Sequence, residues 1–466
     1  MLSVYDGHHR YGRRDFLKIG SLGLGGLTLA DMIAVREAAA ASGEVVRDKA
    51  VVFLFMHGGP SQIETFDPKM TAPSGIRSAT GEIKTAIPGV TYGSTFEKLA
   101  ALADRTSIVR SFVTGDGRHD IKPIVGTNTF GGNLGSIYSR IVGQNRSDNG
   151  MPTNVLLLPK AVDDKAMPGV TQFGKFDSTG TIGSAYQPFT PSGGGDLKAD
   201  MKLTLPMNRL SDRRGLLTRL DRLKRSFDDN GRREGLDRIR EQAFDTILGG
   251  VGEAFDLSKE DPKTIARYDT RGLRDGAGTD PRWNNRKRYR DNGNTLGKLM
   301  LLARRLVERG CGFITVTTNF VWDMHADVNN ADMITGMNYM GVPFDHAVSA
   351  FLEDLRDRGL EDKVLLVCCG EMGRTPRINK KGGRDHWGNI APLMLAGGGL
   401  EMGQVVGQST RNVGEPLTTP YRINNLVGTI FHTLLDVGQV RLNQGLPRDI
   451  ARAMETYQPI PGLGVG

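Results

Sequence analysis

Two pairings of carboxylate with imidazole stand out along the 466-residue chain: Trp322-Asp323-Met324-His325, with the acid two residues before the histidine, and Arg384-Asp385-His386-Trp387, with the two adjacent. Glu371 adds a third carboxylate directly after Cys369-Gly370. Oxygen and nitrogen donors of this kind suit zinc, manganese or another divalent ion. The alternative is a hydrogen-bonded polar cluster that ties loops together. His57, His119, His325 and His386 each follow a short apolar run, while His346 and His432 fall within helical patterns and read as packing or surface residues.

The stretch His57-Gly58-Gly59-Pro60-Ser61-Gln62 offers a second chemistry. A glycine turn such as the one at Gly59 lets backbone amides approach an anion closely, and Ser61 supplies a hydroxyl, so both are candidates for substrate binding; an ordinary turn is the alternative. No GK[ST] follows, which excludes a Walker loop. Glu64-Thr65-Phe66-Asp67 comes next and brings two further carboxylates.

These residues need a scaffold that brings distant segments together. Six continuous Val/Ile/Leu-rich runs, at residues 50–56, 107–113, 154–158, 312–317, 363–369 and 392–396, read as buried parallel strands, because they do not alternate with polar residues. Helical stripes lie between some of them: Leu296, Leu299, Met300, Ala303 and Leu306, and then Ala347, Phe351 and Leu355. Strands alternating with helices predict an α/β fold with a mostly parallel sheet sandwiched by helices. In such sheets ligands bind beyond the carboxyl ends of the strands, where four of the histidines fall. The glycine- and proline-rich residues 126–204 read as long loops with occasional strands, residues 210–292 as a mainly helical insertion, and residues 282–290 within it as a solvated basic loop.

The N-terminus carries an address. Gly12-Arg13-Arg14-Asp15-Phe16-Leu17-Lys18 precedes a glycine-rich apolar stretch at residues 19–29, and Ala39-Ala40-Ala41 supplies the small residues of a cleavage site. This is the pattern of a twin-arginine signal over residues 1–41, read by the twin-arginine translocase; it predicts export to the periplasm or cell exterior and a domain over residues 42–460. The apolar stretch falls short of the roughly 20 residues that span a bilayer, so no stable membrane anchor is expected. The formal net charge is +8, and removing five basic and four acidic residues with the signal leaves +7. That surplus favours anionic partners, but its interspersion with acids argues against nucleic acid. The three cysteines all sit in apolar runs without metal spacing and read as buried thiols.

Taken together, His57-Gly58-Gly59-Pro60-Ser61, Thr65-Phe66-Asp67-Pro68-Lys69, Val109-Arg110-Ser111 with His119, Trp322-Asp323-Met324-His325, Gly370-Glu371-Met372-Gly373-Arg374-Thr375-Pro376, Gly383-Arg384-Asp385-His386-Trp387 and Gly397-Gly398-Gly399 resemble the family of domain of unknown function 1501. That family lies within the alkaline-phosphatase-like, or sulfatase-like, superfamily. The resemblance implies an alkaline-phosphatase-like fold and a metal-dependent hydrolase of phosphate or sulfate esters with one or two divalent ions, acting on an anionic small molecule or polysaccharide ester. It implies one ion site at Asp323, His325 and His386, a poorer second at Glu371 with His57 or Asp67, and Arg374 and Arg118 as neutralisers of substrate oxygens. The chain departs from the superfamily where a nucleophile belongs: the stretch reads Gly117-Arg118-His119-Asp120, without hydroxyl or thiol. His119 as nucleophile or general base, direct attack by water, and loss of catalysis all remain open. A non-catalytic metal-binding or assembly protein is therefore the alternative to the hydrolase, and a nuclease drawn by the basic residues near Arg286 ranks last.

Overall fold

The computed structural model describes residues 4–6, 9–11, 45–191, 251–273, 281–440 and 446–464. Apart from an antiparallel pairing of Val4–Asp6 with His9–Tyr11, the signal lies outside these residues. So do residues 192–204 of the expected loop-rich segment and residues 210–250 of the helical insertion.

One seven-stranded sheet organises the chain. Its strands are β1 (Ala50–Phe55), β2 (Ser107–Val109), β3 (Asn154–Leu157), β4 (Phe313–Thr317), β5 (Val364–Cys369), β6 (Leu393–Gly397) and β7 (Val405–Val406), in the spatial order β7-β2-β6-β5-β1-β4-β3. β1 lies between β5 and β4, parallel to both, with Ala50 opposite Val364 and Val51 opposite Phe313. Ala50, Val52 and Leu54 of β1 enter one core and Val51, Phe53 and Phe55 the other, as the two-residue period of a strand requires. Helices α2 (Arg286–Glu308) and α3 (Met333–Asp357) cover the first face; α1 (Leu134–Val142) and α4 (Ile423–Leu434) cover the second. Burial on both faces explains why the strands are apolar without alternation. The expected α/β fold, a mostly parallel sheet flanked by helices, is the one observed.

Three expectations are corrected and one, the loop-rich segment, is refined. β6 runs antiparallel to both β5 and β2; a strand buried on both faces carries no trace of its direction. The run at residues 107–113 divides, since Phe112–Val113 leaves the main sheet to pair with Tyr421–Arg422. Between the two pieces Arg110 turns aside to donate to the Phe66 and Thr91 carbonyls. Residues 126–191 hold a regular helix, α1, whose Asn133 cap accepts from the Gly135 amide at 2.8 Å. Finally, the solvated basic loop is largely the first turn of α2: Tyr289 is fully buried against Trp283 and Tyr339, and that apolar anchor outweighs the charges around it.

α2 and α3 are joined by a buried ion-pair network. The Arg304 guanidinium meets Glu260 at 2.7 Å, Glu308 at 2.6 Å and Asp354 at 2.8 Å, and Tyr268 donates to Asp354. No helix among the described residues is long and apolar enough to cross a membrane.

Candidate metal centre

β1, β4, β5 and β2 point the same way, so the segments that follow them meet at one edge of the sheet. The turn after β1 fixes the geometry there. Gly58 has φ +114°, and a Cβ on it would stand 2.6 Å from the Asp323 amide nitrogen, so only glycine lets the turn close against the loop after β4. Its amide donates to Glu371 at 2.9 Å, its carbonyl accepts from Arg374, and the Gly59 carbonyl accepts from Arg374 at 2.7 Å. The loop after β4 carries its own strain: Asn319, Phe320 and Ala326 all have positive φ, bracketing Asp323 and His325.

Four residues converge. His119, Asp323, His325 and His386 offer ligand atoms that all lie within 4.8 Å of one another, a group able to hold a metal ion. Asp323 Oδ1 lies 2.9 Å from His325 Nε2, 3.3 Å from His119 Nε2 and 3.4 Å from His386 Nε2, and the Nε2 atoms of His325 and His386 approach each other at 2.8 Å. Asn330 donates to the other Asp323 oxygen at 3.0 Å. His325 and His386 keep 21% and 34% of their side chains exposed, so the cluster opens to solvent on their side.

Charge around the cluster is arranged by burial. Arg374, wholly buried, donates to Asp323 Oδ1 at 2.6 Å. Burial alone would raise the Asp323 carboxyl, but Arg374 and the three imidazoles hold it well below the usual carboxylate range. Burial lowers His386, whereas His119 is raised, because hydrogen bonds to Asp323 and Glu371 outweigh its burial.

The remaining candidates lie around this centre with other partners. Glu371, fully buried, accepts from Gly58 and touches His119 Nδ1 at 2.8 Å. His57 is buried among Phe55, Phe176 and Phe320; neither ring nitrogen has a hydrogen-bond partner, and burial lowers its pKa to about 4. Asp67 faces Ser409, Lys69 and Arg110 instead of the cluster. The expectation of free amides in the glycine turn is corrected: the Gly58 amide is taken by Glu371 and the Gly59 amide by the Met56 carbonyl, because the turn must bind its own core. Ser61 Oγ likewise accepts from the Glu64 amide at 3.3 Å. Arg118 is exposed beside His119.

Several supporting contacts escaped the sequence reading. Lys122 clamps Asp116 at 2.6 Å and Asp120 at 2.7 Å, on either side of His119. Gln62 exchanges two hydrogen bonds with the backbone of Arg374. Glu64, a candidate ligand from its sequence, meets Arg384 at 2.8 Å with both side chains fully buried, and so fixes the start of the segment bearing Asp385 and His386. A glutamate and an arginine 320 residues apart give no local sign that they pair.

A family model described as a protein of unknown function (DUF1501) matches residues 48–453. The chain belongs to this family. Among solved structures, the DUF1501 chain is similar to the PsFucS1 sulfatase from Pseudoalteromonas sp., at 10% identity and a TM-score of 0.33, covering 85% of this chain and 71% of that one. It is also similar to Ps i-CgsB, at 11% identity and a TM-score of 0.33, covering 88% and 77%. Ps i-CgsB in complex with k-i-k-neocarrahexaose matches at 11% identity and a TM-score of 0.31, with the same coverage. No curated protein matches the chain.

Proposed function

We propose that this DUF1501 protein is an exported, metal-dependent hydrolase of phosphate or sulfate esters that holds one divalent ion, zinc or manganese, among His119, Asp323, His325 and His386. The observation that carries the reading is the convergence of three Nε2 atoms on one carboxylate oxygen. Arg374 can only donate to His325 Nε2, so the lone pair on that nitrogen lies 2.9 Å from the anionic Asp323 oxygen and the two repel, whereas a shared cation turns the same arrangement into attraction. Three imidazoles and a carboxylate suit zinc or manganese. The twin-arginine pattern at Arg13-Arg14 supports export, and the superfamily resemblance supports ester hydrolysis.

A bound ion would supply Lewis acidity and lower the pKa of a water molecule. The rest falls to the chain. Among the described residues no Ser, Thr or Cys makes a hydrogen bond to the four donors, so water is the attacking group in this reading. Arg374, buried and bound to Asp323, keeps that carboxylate ionised and in place. Arg118, exposed next to His119, can meet the charged oxygens of an ester on a small molecule or polysaccharide.

The missing hydroxyl also favours a second reading, a metal-binding protein without catalysis. The test is metal analysis of protein purified from residue 42 onward, beside His325→Ala, followed by a screen of aryl phosphates and aryl sulfates. About one ion per chain, lost in the variant, with turnover of either ester class supports the hydrolase. Metal without turnover leaves the binding protein, and no metal sinks both.

A further inference from the structure

Each imidazole in the cluster has a second nitrogen, and two of these face carboxylates that lie outside the four-donor group. His119 Nδ1 meets Glu371 Oε1 at 2.8 Å; His325 Nδ1 meets Asp385 Oδ1 at 3.2 Å. Both acids are themselves held. Glu371 takes the Gly58 amide on both oxygens, at 2.9 and 3.2 Å. Asp385 accepts from Asn379 Nδ2 at 3.2 Å, and the same Asn379 nitrogen donates to the His325 carbonyl at 3.0 Å, which closes a ring around that histidine. No such carboxylate partner is found for His386 Nδ1 among the described residues.

From this geometry we infer that Glu371 and Asp385 are positioning residues that hold a proton on Nδ1 of His119 and His325, so that both rings present Nε2 to the ion. The inference rests on the metal-site reading above, and it moves Glu371 from ligand to outer support. A neutral imidazole carries one N–H, and a carboxylate at Nδ1 decides which nitrogen has it. It also fixes the ring plane and makes Nε2 a better donor. The two supports differ in setting: Glu371 is fully buried, whereas Asp385 keeps 58% of its side chain exposed. Changing Asp385 therefore tests the role with little risk to the fold.

The experiment is titration of zinc, and separately manganese, into metal-stripped protein beside Asp385→Ala, Asp385→Asn and Glu371→Gln, with the melting temperature of each metal-free protein recorded. Loss of a supporting carboxylate weakens metal binding about 10–100-fold. Asp385→Ala should fall in that range with its metal-free melting temperature within about 1 °C of the parent. Asp385→Asn, whose amide oxygen can still accept from Nδ1–H, should lose less. Glu371→Gln should lose affinity as well as stability. A merely structural acid would lower the melting temperature without this graded change in affinity. Asp385→Ala binding zinc within about twofold of the parent overturns the inference while leaving the metal site intact; a parent that binds neither metal overturns both.

Discussion

Asp323→Asn separates two jobs that one carboxylate performs. In the metal-free protein its charge offsets Arg374, whose guanidinium is wholly buried 2.6 Å away and among the described residues otherwise meets uncharged acceptors, the carbonyls of Gly58, Gly59 and Arg384 and a nitrogen of His325. Removing one partner of a buried pair costs about 3–5 kcal/mol. Unfolding entropy of about 2.1 cal/mol/K per residue over roughly 400 residues gives ~0.85 kcal/mol/K, so the metal-free variant should melt about 4–6 °C below the parent. Because the folded Asp323 is held below its ordinary pKa, its contribution is present above the unfolded value and is lost only as pH falls toward the lowered one. The gap should thus persist from pH 7 down to about pH 4. Zinc at 100 times its dissociation constant stabilises the parent by about 2.7 kcal/mol, or about 3 °C, and the variant should show no such rise. Thermal melts with and without zinc read both effects. A metal-free loss under about 1 °C refutes the ion-pair argument, and a zinc-induced rise surviving in the variant refutes Asp323 as a ligand.

The Glu64–Arg384 pair should behave alike: Glu64→Gln costs about 3–5 kcal/mol, and Arg384→Met added to it recovers part of the loss, as a double-mutant cycle by thermal melts would record. Asp345 accepts from the Lys98 and Leu99 amides, and burial raises its pKa to about 6, so the folded state favours the neutral acid and stability falls as pH rises from about 4 to 6. That slope, worth about 3 kcal/mol, should be missing from Asp345→Asn in melts across this range; equal slopes would remove the argument. Gly58→Ala drives a Cβ onto the Asp323 backbone and demands a left-handed alanine, so zinc affinity should drop at least as far as in Asp385→Ala, and an unchanged value would count against the turn as the organiser of the site.

Six of the sheet's seven strands were legible because they lie in apolar runs, whereas the two-residue β7 offers no such run, and the histidines after the strands were legible because parallel strands deliver their following residues to one edge. What local pattern does not carry is pairing at long range. Nothing near Leu393 tells that β6 runs backwards, since an antiparallel strand covered on both faces has the same composition as a parallel one. Arg374 reads as a substrate-facing cation in its motif, yet the carbonyls of Gly58 and Gly59, more than 300 residues earlier, draw it inward. Glu64, Asp67 and Glu371 look alike as carboxylates near glycine or aromatic residues. Only the fold distinguishes the one paired with Arg384, the one beside Ser409 and the one behind His119.

The charge gathered at this edge constrains what it can hold. Asp323, Glu371 and Asp385 contribute three negative charges to the network through the four donors, and Arg374 returns one positive charge. With neutral imidazoles the balance is −2, which one divalent ion cancels and two would overturn to +2. Burying such groups costs several kcal/mol per ion, a cost that apolar residues of the same volume would avoid. The Gly58–Gly59 turn manages it by facing Glu371 with an amide and Arg374 with two carbonyls, so each charge meets the favourable end of the same short backbone segment. A strained glycine turn that holds opposite charges a few ångströms apart organises this edge, and under the proposed function the balance favours a single divalent ion with an anionic ester approaching from the exposed His325–His386 side.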